Sequence, residues 1–94
     1  MAQVQVARGA QEDLDRLIRG LLLPADTRQR VARALRPLAT LPRLGPEFQG
    51  RWAGFRFLLG PWRWLIMVYV VIDGDERVVV VSFQDAGTAH SPTA

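Results

Sequence analysis

The sequence predicts an α+β fold in the order β-α-α-β-β-β, an antiparallel sheet with a two-helix hairpin packed on one face. Three observations carry this reading. A short alternating segment opens the chain, two stretches with helical apolar spacing follow, and residues 50–84 then read as three consecutive strands. A sheet covered by helices on one face is the economical way to bury these stripes together.

Each element has a local reason. Between Gln3 and Arg8, Val4 and Val6 alternate with Gln3 and Gln5, the pattern of a half-buried strand. From about Gln11 to Leu22 the positions Leu14, Leu17, Ile18, Leu21 and Leu22 recur at helical spacing, and Gly20 and Pro24 close that helix. A second helix starts at Asp26, with Gln29 three positions on as the partner of a capping box. Its stripe is Val31, Ala34, Leu35 and Leu38, and Pro37 with Pro42 ends it. Residues 40–50 hold two prolines and two glycines and form a loop. Strands follow at about Arg51–Leu59, Trp62–Ile72 and Arg77–Gln84, and the small, polar segment 85–94 is expected to be a flexible tail. The 94 residues are expected to make one domain, residues 1–94.

Composition narrows the function classes. With no cysteine and a single histidine, His90, disulfide scaffolds and Cys/His zinc sites are excluded, and neither a metal nor another cofactor is expected. The apolar run 62–72 is too short to span a bilayer and Arg63 interrupts it, so no membrane role and a cytoplasmic location are expected. All twelve basic residues are arginine. Eight of them lie between Thr27 and Ile72 against one acid, Glu47. Such a basic middle suits a polyanion or an acidic protein partner, and a solvated helix surface is the plain alternative.

Strand alternation sorts the aromatic and charged residues by face. A turn centred on Gly60-Pro61 pairs Leu59 with Trp62, Phe57 with Trp64, Phe55 with Ile66 and Ala53 with Val68, an all-apolar set expected to face the core. A turn at Asp73–Glu76 adds Val79, Val81 and Phe83 to that face. The opposite face then carries Trp52, Arg56, Arg63, Met67, Tyr69, Ser82 and Gln84. Two guanidiniums beside aromatic rings can grip phosphate and stack on bases, and so much apolar surface predicts a covering partner.

The element order, with Gly50-x-Trp52-x-Gly54-Phe55-Arg56 followed by Gly60-Pro61-Trp62-Arg63, resembles the RelE/ParE superfamily of bacterial type II toxins. The resemblance runs through nearly the whole chain and is most specific over about Gly50–Val81. It implies a toxin held inactive by a cognate antitoxin, with which it forms an oligomer. RelE-like members cut mRNA on the ribosome and so inhibit translation; ParE-like members poison DNA gyrase. In the first case Arg56 and Arg63 would stabilise the scissile phosphate and His90 would be the acid or base. Arg51, Trp52, Met67, Tyr69, Ser82 and Gln84 would bind nucleic acid or antitoxin.

The sequence departs from the ribonuclease pattern in having no lysine and in placing Gln84-Asp85 where a basic residue is common. Three readings therefore stand open. The first is a ribosome-dependent mRNA endonuclease, the second a gyrase inhibitor, and the third an attenuated toxin that only binds its antitoxin. A small basic RNA- or DNA-binding domain is the reading from charge alone.

Overall fold

The computed structural model describes residues 1–87. Strand β1 (Gln3–Val6) leads into helix α1 (Arg8–Leu21), helix α2 (Thr27–Leu35) and a single further turn, α3 (Pro37–Thr40). After a loop containing a 3-10 turn at Gly50–Trp52 come β2 (Arg56–Leu59), β3 (Leu65–Ile72) and β4 (Arg77–Asp85). The expected order is present. The sheet runs β1-β4-β3-β2, and β1 lies parallel to β4, so the sheet is mixed where an antiparallel one was expected.

The helices end by means other than those the sequence suggested. Gly20 lies inside α1, and the turn is made by Leu22, whose φ of 53° places a leucine in the left-handed region. Asp26 precedes α2 without a capping bond; its carboxylate accepts from Arg30 Nε at 2.9 Å instead. The buried Thr27 closes the turn, donating from Oγ1 to the Pro24 carbonyl at 2.6 Å. Pro37 interrupts the helical ladder, yet the chain makes one more turn before Leu41 donates to the Pro37 carbonyl.

The sheet faces are reversed from the sequence expectation. Leu65, Met67 and Tyr69 of β3 and Val78, Val80 and Phe83 of β4 pack under Ala10 and Leu14 of α1 and Val31, Leu35 and Leu38 of the hairpin. This is the main core, and full burial of such side chains contributes roughly 1.5–3 kcal/mol each. Ile66 and Val68 lie on the helix-free face with Phe48, Phe55, Phe57 and Val81, where the Phe48 and Phe57 rings meet at a 35° tilt with centroids 4.8 Å apart.

Two register facts account for the rest. The connection after β2 spans residues 60–64, so Phe57 pairs with Val68 rather than Trp64, and Leu59 pairs with Ile66. That shift is an even number of residues, so the expected sets of residues stay together although their partners change. In β4 a bulge at Val81 separates the Tyr69–Val80 pair from the Val68–Ser82 pair. The bulge turns Phe83 toward the helices and moves Ser82 and Gln84 to the helix-free face, away from Met67 and Tyr69. The Phe83 amide donates to Asp13 Oδ2 of α1 at 3.2 Å, a side-chain partner at the irregularity.

Candidate functional site

The polar centre of the molecule is a three-residue clamp on the loop before β2. The Gly45 amide donates to the Tyr69 hydroxyl at 2.8 Å, and Arg56 Nη1 donates to the Gly45 carbonyl at 2.8 Å and to the Arg43 carbonyl at 3.3 Å. Glu47 lies 3.6 Å from the same guanidinium. No side chain fits at Gly45, where a Cβ would come within 2.1 Å of the Phe57 carbonyl oxygen. The loop then runs back along β2, with Phe57 donating to the Pro46 carbonyl and Phe48 to the Phe55 carbonyl. Arg43 extends the clamp to the β3–β4 turn through two hydrogen bonds to the Asp75 carboxylate, at 2.8 and 2.9 Å.

The electrostatics follow from this geometry. Burial pushes the Tyr69 phenol above its ordinary value, with the Gly45 amide and the Arg56 charge opposing the shift. The hydrogen bond from Arg43 holds the Asp75 carboxyl below its ordinary range, and the same bond raises Arg43.

The sequence-predicted site is therefore divided. Met67 and Tyr69 are wholly buried beneath the helices rather than on an open face. Arg56 shares their side of the sheet at its β2 margin, 17% exposed and committed to loop carbonyls. Arg63 stands apart in the β2–β3 turn, exposed and with no hydrogen-bond or ion-pair partner among the described residues. Ser82 and Gln84 occupy the helix-free face and bond each other at 3.1 Å. Arg51 and Trp52 are exposed in the 3-10 turn, and Trp52 meets Phe55 edge-on. His90 lies outside the described residues.

One feature was missed from sequence. Trp62 and Trp64 stack at 5.5 Å with an interplanar angle of 7°, and the Arg30 guanidinium of α2 sits 5.8 Å over Trp62. The i,i+2 spacing of the tryptophans predicts two core positions of a strand, whereas the strand begins at Leu65 and both tryptophans stand in the connection before it. The remaining arginines divide simply. Arg16, Arg28 and Arg77 pair with Asp13, Asp15 and Asp73, whereas Arg8, Arg19, Arg33, Arg36 and Arg51 have no ion-pair partner among the described residues.

A scan against family models finds no match, and a comparison with curated sequences finds none either. Comparison of structures does. A chain of the chromosomal ParDE TA system from P. aeruginosa superposes with a TM-score of 0.69 at 16% identity, covering 90% of this chain and 96% of that one. The toxin-antitoxin complex RelBE2 from Mycobacterium tuberculosis gives 0.65 at 21% identity, over 89% and 96%. A YafQ mutant from E. coli gives 0.61 at 13% identity, over 97% and 100%. The chain has the RelE/ParE toxin fold.

On this RelE/ParE fold the helix-free face is mainly apolar. Its strand positions include Phe57, Leu59, Ile66, Val68, Val70, Val79 and Val81, fringed by Gln3, Gln5, Ser82 and Gln84 and by Arg77, which Asp73 occupies. Among the described residues, those strand positions carry no group that exchanges a proton near neutral pH. Such a surface can exclude water and bind. No group of three or more His, Cys, Asp or Glu side chains able to hold a metal ion occurs among the described residues. Nor is any helix among them long and apolar enough to cross a membrane.

Proposed function

We propose that this chain is the toxin of a toxin–antitoxin pair and that it acts by occupying a protein target, in the manner of a ParE-like gyrase inhibitor. The fold supports the toxin half of this reading. The observation that carries the second half is the commitment of Arg56. Cleavage of RNA by its own 2′-hydroxyl needs donors aimed at the phosphorane and groups that move protons at two oxygens. Arg56 Nη1 donates to the Gly45 and Arg43 carbonyls and Nη2 lies 3.6 Å from Glu47, which holds the guanidinium against the loop, and the helix-free face offers apolar contact in place of acid–base chemistry.

A ribosome-dependent mRNA endonuclease is the second reading, and the exposed, unpartnered Arg63 is the residue that favours it. Induced expression in a bacterial host separates the two. The gyrase reading expects growth arrest with induction of the DNA-damage response, intact mRNA by primer extension, and loss of supercoiling by purified gyrase. Ribosome-dependent mRNA cuts that disappear in Arg63→Ala would instead select the endonuclease. Absence of growth arrest, with retained binding to a neighbouring acidic protein, would select the attenuated toxin.

A further inference from the structure

Helix α2 and the β2–β3 connection meet at a second cationic feature. An open cleft of about 410 Å³ lies there, lined by Asp26, by Arg30, Arg33 and Ala34 of α2, and by Pro61 of the connection. Arg30 is held in it twice. Its Nε donates to Asp26 Oδ2 at 2.9 Å, and its guanidinium lies 5.8 Å over the Trp62 ring. That bond uses Nε alone, and neither Nη group donates to a described residue. Arg33, one turn along the same helix face, is exposed and has no hydrogen-bond or ion-pair partner among the described residues. Trp62 follows Pro61 in the chain and stacks on Trp64 at 5.5 Å, both side chains half-buried. An aromatic pair thus stands beside two guanidiniums that still have donors to give.

From this juxtaposition we infer that the cleft binds the phosphate of a free nucleotide, whose base packs against the tryptophan pair. Two guanidinium forks on one helix face suit a phosphate better than a carboxylate. A phosphate monoester offers three oxygens and about two charges at neutral pH, enough to accept from both arginines. Asp26 offsets one of the two arginines, so the lining keeps a net positive charge for the ligand to meet. Arg30 is already positioned by Asp26 and Trp62, which lowers the ordering cost of binding. Every base has a π-face, so an aromatic platform adds affinity for a nucleoside without choosing among bases. Size favours a free nucleotide over a strand. The volume is that of a small-molecule site, and its five lining residues make no basic track along which successive nucleotides could run. Trp62 and Trp64 pack against the core beneath the helices, so the site lies apart from the helix-free face. It is independent of the choice between gyrase and mRNA.

The test is an NMR titration of the full chain with adenosine monophosphate, read at the indole N–H signals of its three tryptophans. The signals of Trp62 and Trp64 are expected to move, and that of Trp52, in the 3-10 turn, to stay. Arg33→Ala is expected to weaken binding at least about tenfold. It should leave the fold intact, because Arg33 has no partner among the described residues to lose. Arg33→Lys keeps the charge but not the fork, and its affinity is expected to fall between the two. Arg19→Ala, on α1, is expected to change nothing. Inorganic phosphate should bind more weakly than adenosine monophosphate, and adenosine not at all. No indole shift through the millimolar range, equal affinity in Arg33→Ala, or equal affinity for adenosine or for inorganic phosphate would each overturn the inference. A single strand of about ten nucleotides that binds here where adenosine monophosphate does not would also overturn it, and would assign the cleft to nucleic acid.

Discussion

The Gly45 amide is bonded to the hydroxyl of Tyr69 at 2.8 Å, joining a loop with no regular structure to the wholly buried centre of β3. Because that bond is buried, both partners lose water when it forms, and breaking it strands a donor or an acceptor. The same glycine offers its carbonyl to Arg56, so one residue holds two side chains from adjacent strands. Gly45 thus joins the backbone bonds at Pro46 and Phe48 and the Arg43–Asp75 pair in fixing the loop on the sheet.

Gly45→Ala is expected to be the most damaging small substitution in the molecule. The new methyl would meet the Phe57 carbonyl at 2.1 Å, and backbone at that distance cannot yield without moving β2 or the loop. Either movement stretches the bonds to Tyr69 and Arg56. Urea unfolding should show a loss of about 2–4 kcal/mol, combining overpacking with broken hydrogen bonds.

Tyr69 is the single tyrosine of the chain, which makes its phenol directly observable. Its pKa is raised, chiefly by burial, so absorbance at the phenolate band should develop above the ordinary value of 10.0. The sign of the stability effect follows. The folded state prefers the neutral phenol, so its contribution is complete below the unfolded pKa and is lost as pH rises through the folded one. Stability should therefore fall in alkali above about pH 10, and less steeply in Tyr69→Phe. At neutral pH that variant should lose about 1–2 kcal/mol for the orphaned Gly45 amide.

Arg56 and Arg63 looked equivalent from sequence and should behave differently. Arg56→Ala removes donors from two loop carbonyls and should cost about 2 kcal/mol by denaturant unfolding, whatever its effect on a target. Arg63→Ala removes an exposed, unpartnered charge and should leave stability within about 0.5 kcal/mol. Any change it makes in target binding then reads as recognition. Equal destabilisation by both would contradict this division.

Acid should release the far end of the clamp first. Asp75 has a carboxyl held below its ordinary 3.8 by the hydrogen bond from Arg43. A depressed carboxyl contributes stability above its unfolded pKa and loses it as pH falls through the folded one. Below about pH 4 the β3–β4 turn and the loop at Arg43 should part while the core holds. Amide exchange at residues 41–44 should then accelerate before global unfolding, and Asp75→Asn should show that acceleration already at neutral pH.

The order of elements was legible because each relies on local periodicity, and the Asp73–Glu76 turn correctly aligned Val70 with Val79. Which face the helices cover was not legible. Both faces of β3 are apolar: Ile66 and Val68 look as core-like as Met67 and Tyr69. An arginine at position 56 predicts an open face, but its charge is met at the sheet margin by loop carbonyls that no strand pattern reveals. The bulge at Val81 is equally silent, since a run of valines gives no sign of where one extra residue is inserted. Trp62 and Trp64 were misplaced because the turn after Gly60 is longer than the two-residue kind assumed.

Leu22 offers a stabilising change. It ends α1 with a φ of 53°, a conformation that costs an L-residue roughly 1 kcal/mol, and its side chain is 88% exposed. Glycine adopts the same backbone without strain, and nothing in the core is lost by removing this leucine. Leu22→Gly is therefore expected to gain about 0.5–1 kcal/mol, after allowing for the greater unfolded-state freedom of glycine. Gly20 provides the internal control, because it lies within α1 with open space around its Cα. Gly20→Ala should gain a similar amount by helix propensity, about 1 kcal/mol. The two changes act through different states of the backbone and should be close to additive by thermal unfolding. If Leu22→Gly instead lowers stability, the left-handed turn at that position is not the conformation the chain adopts.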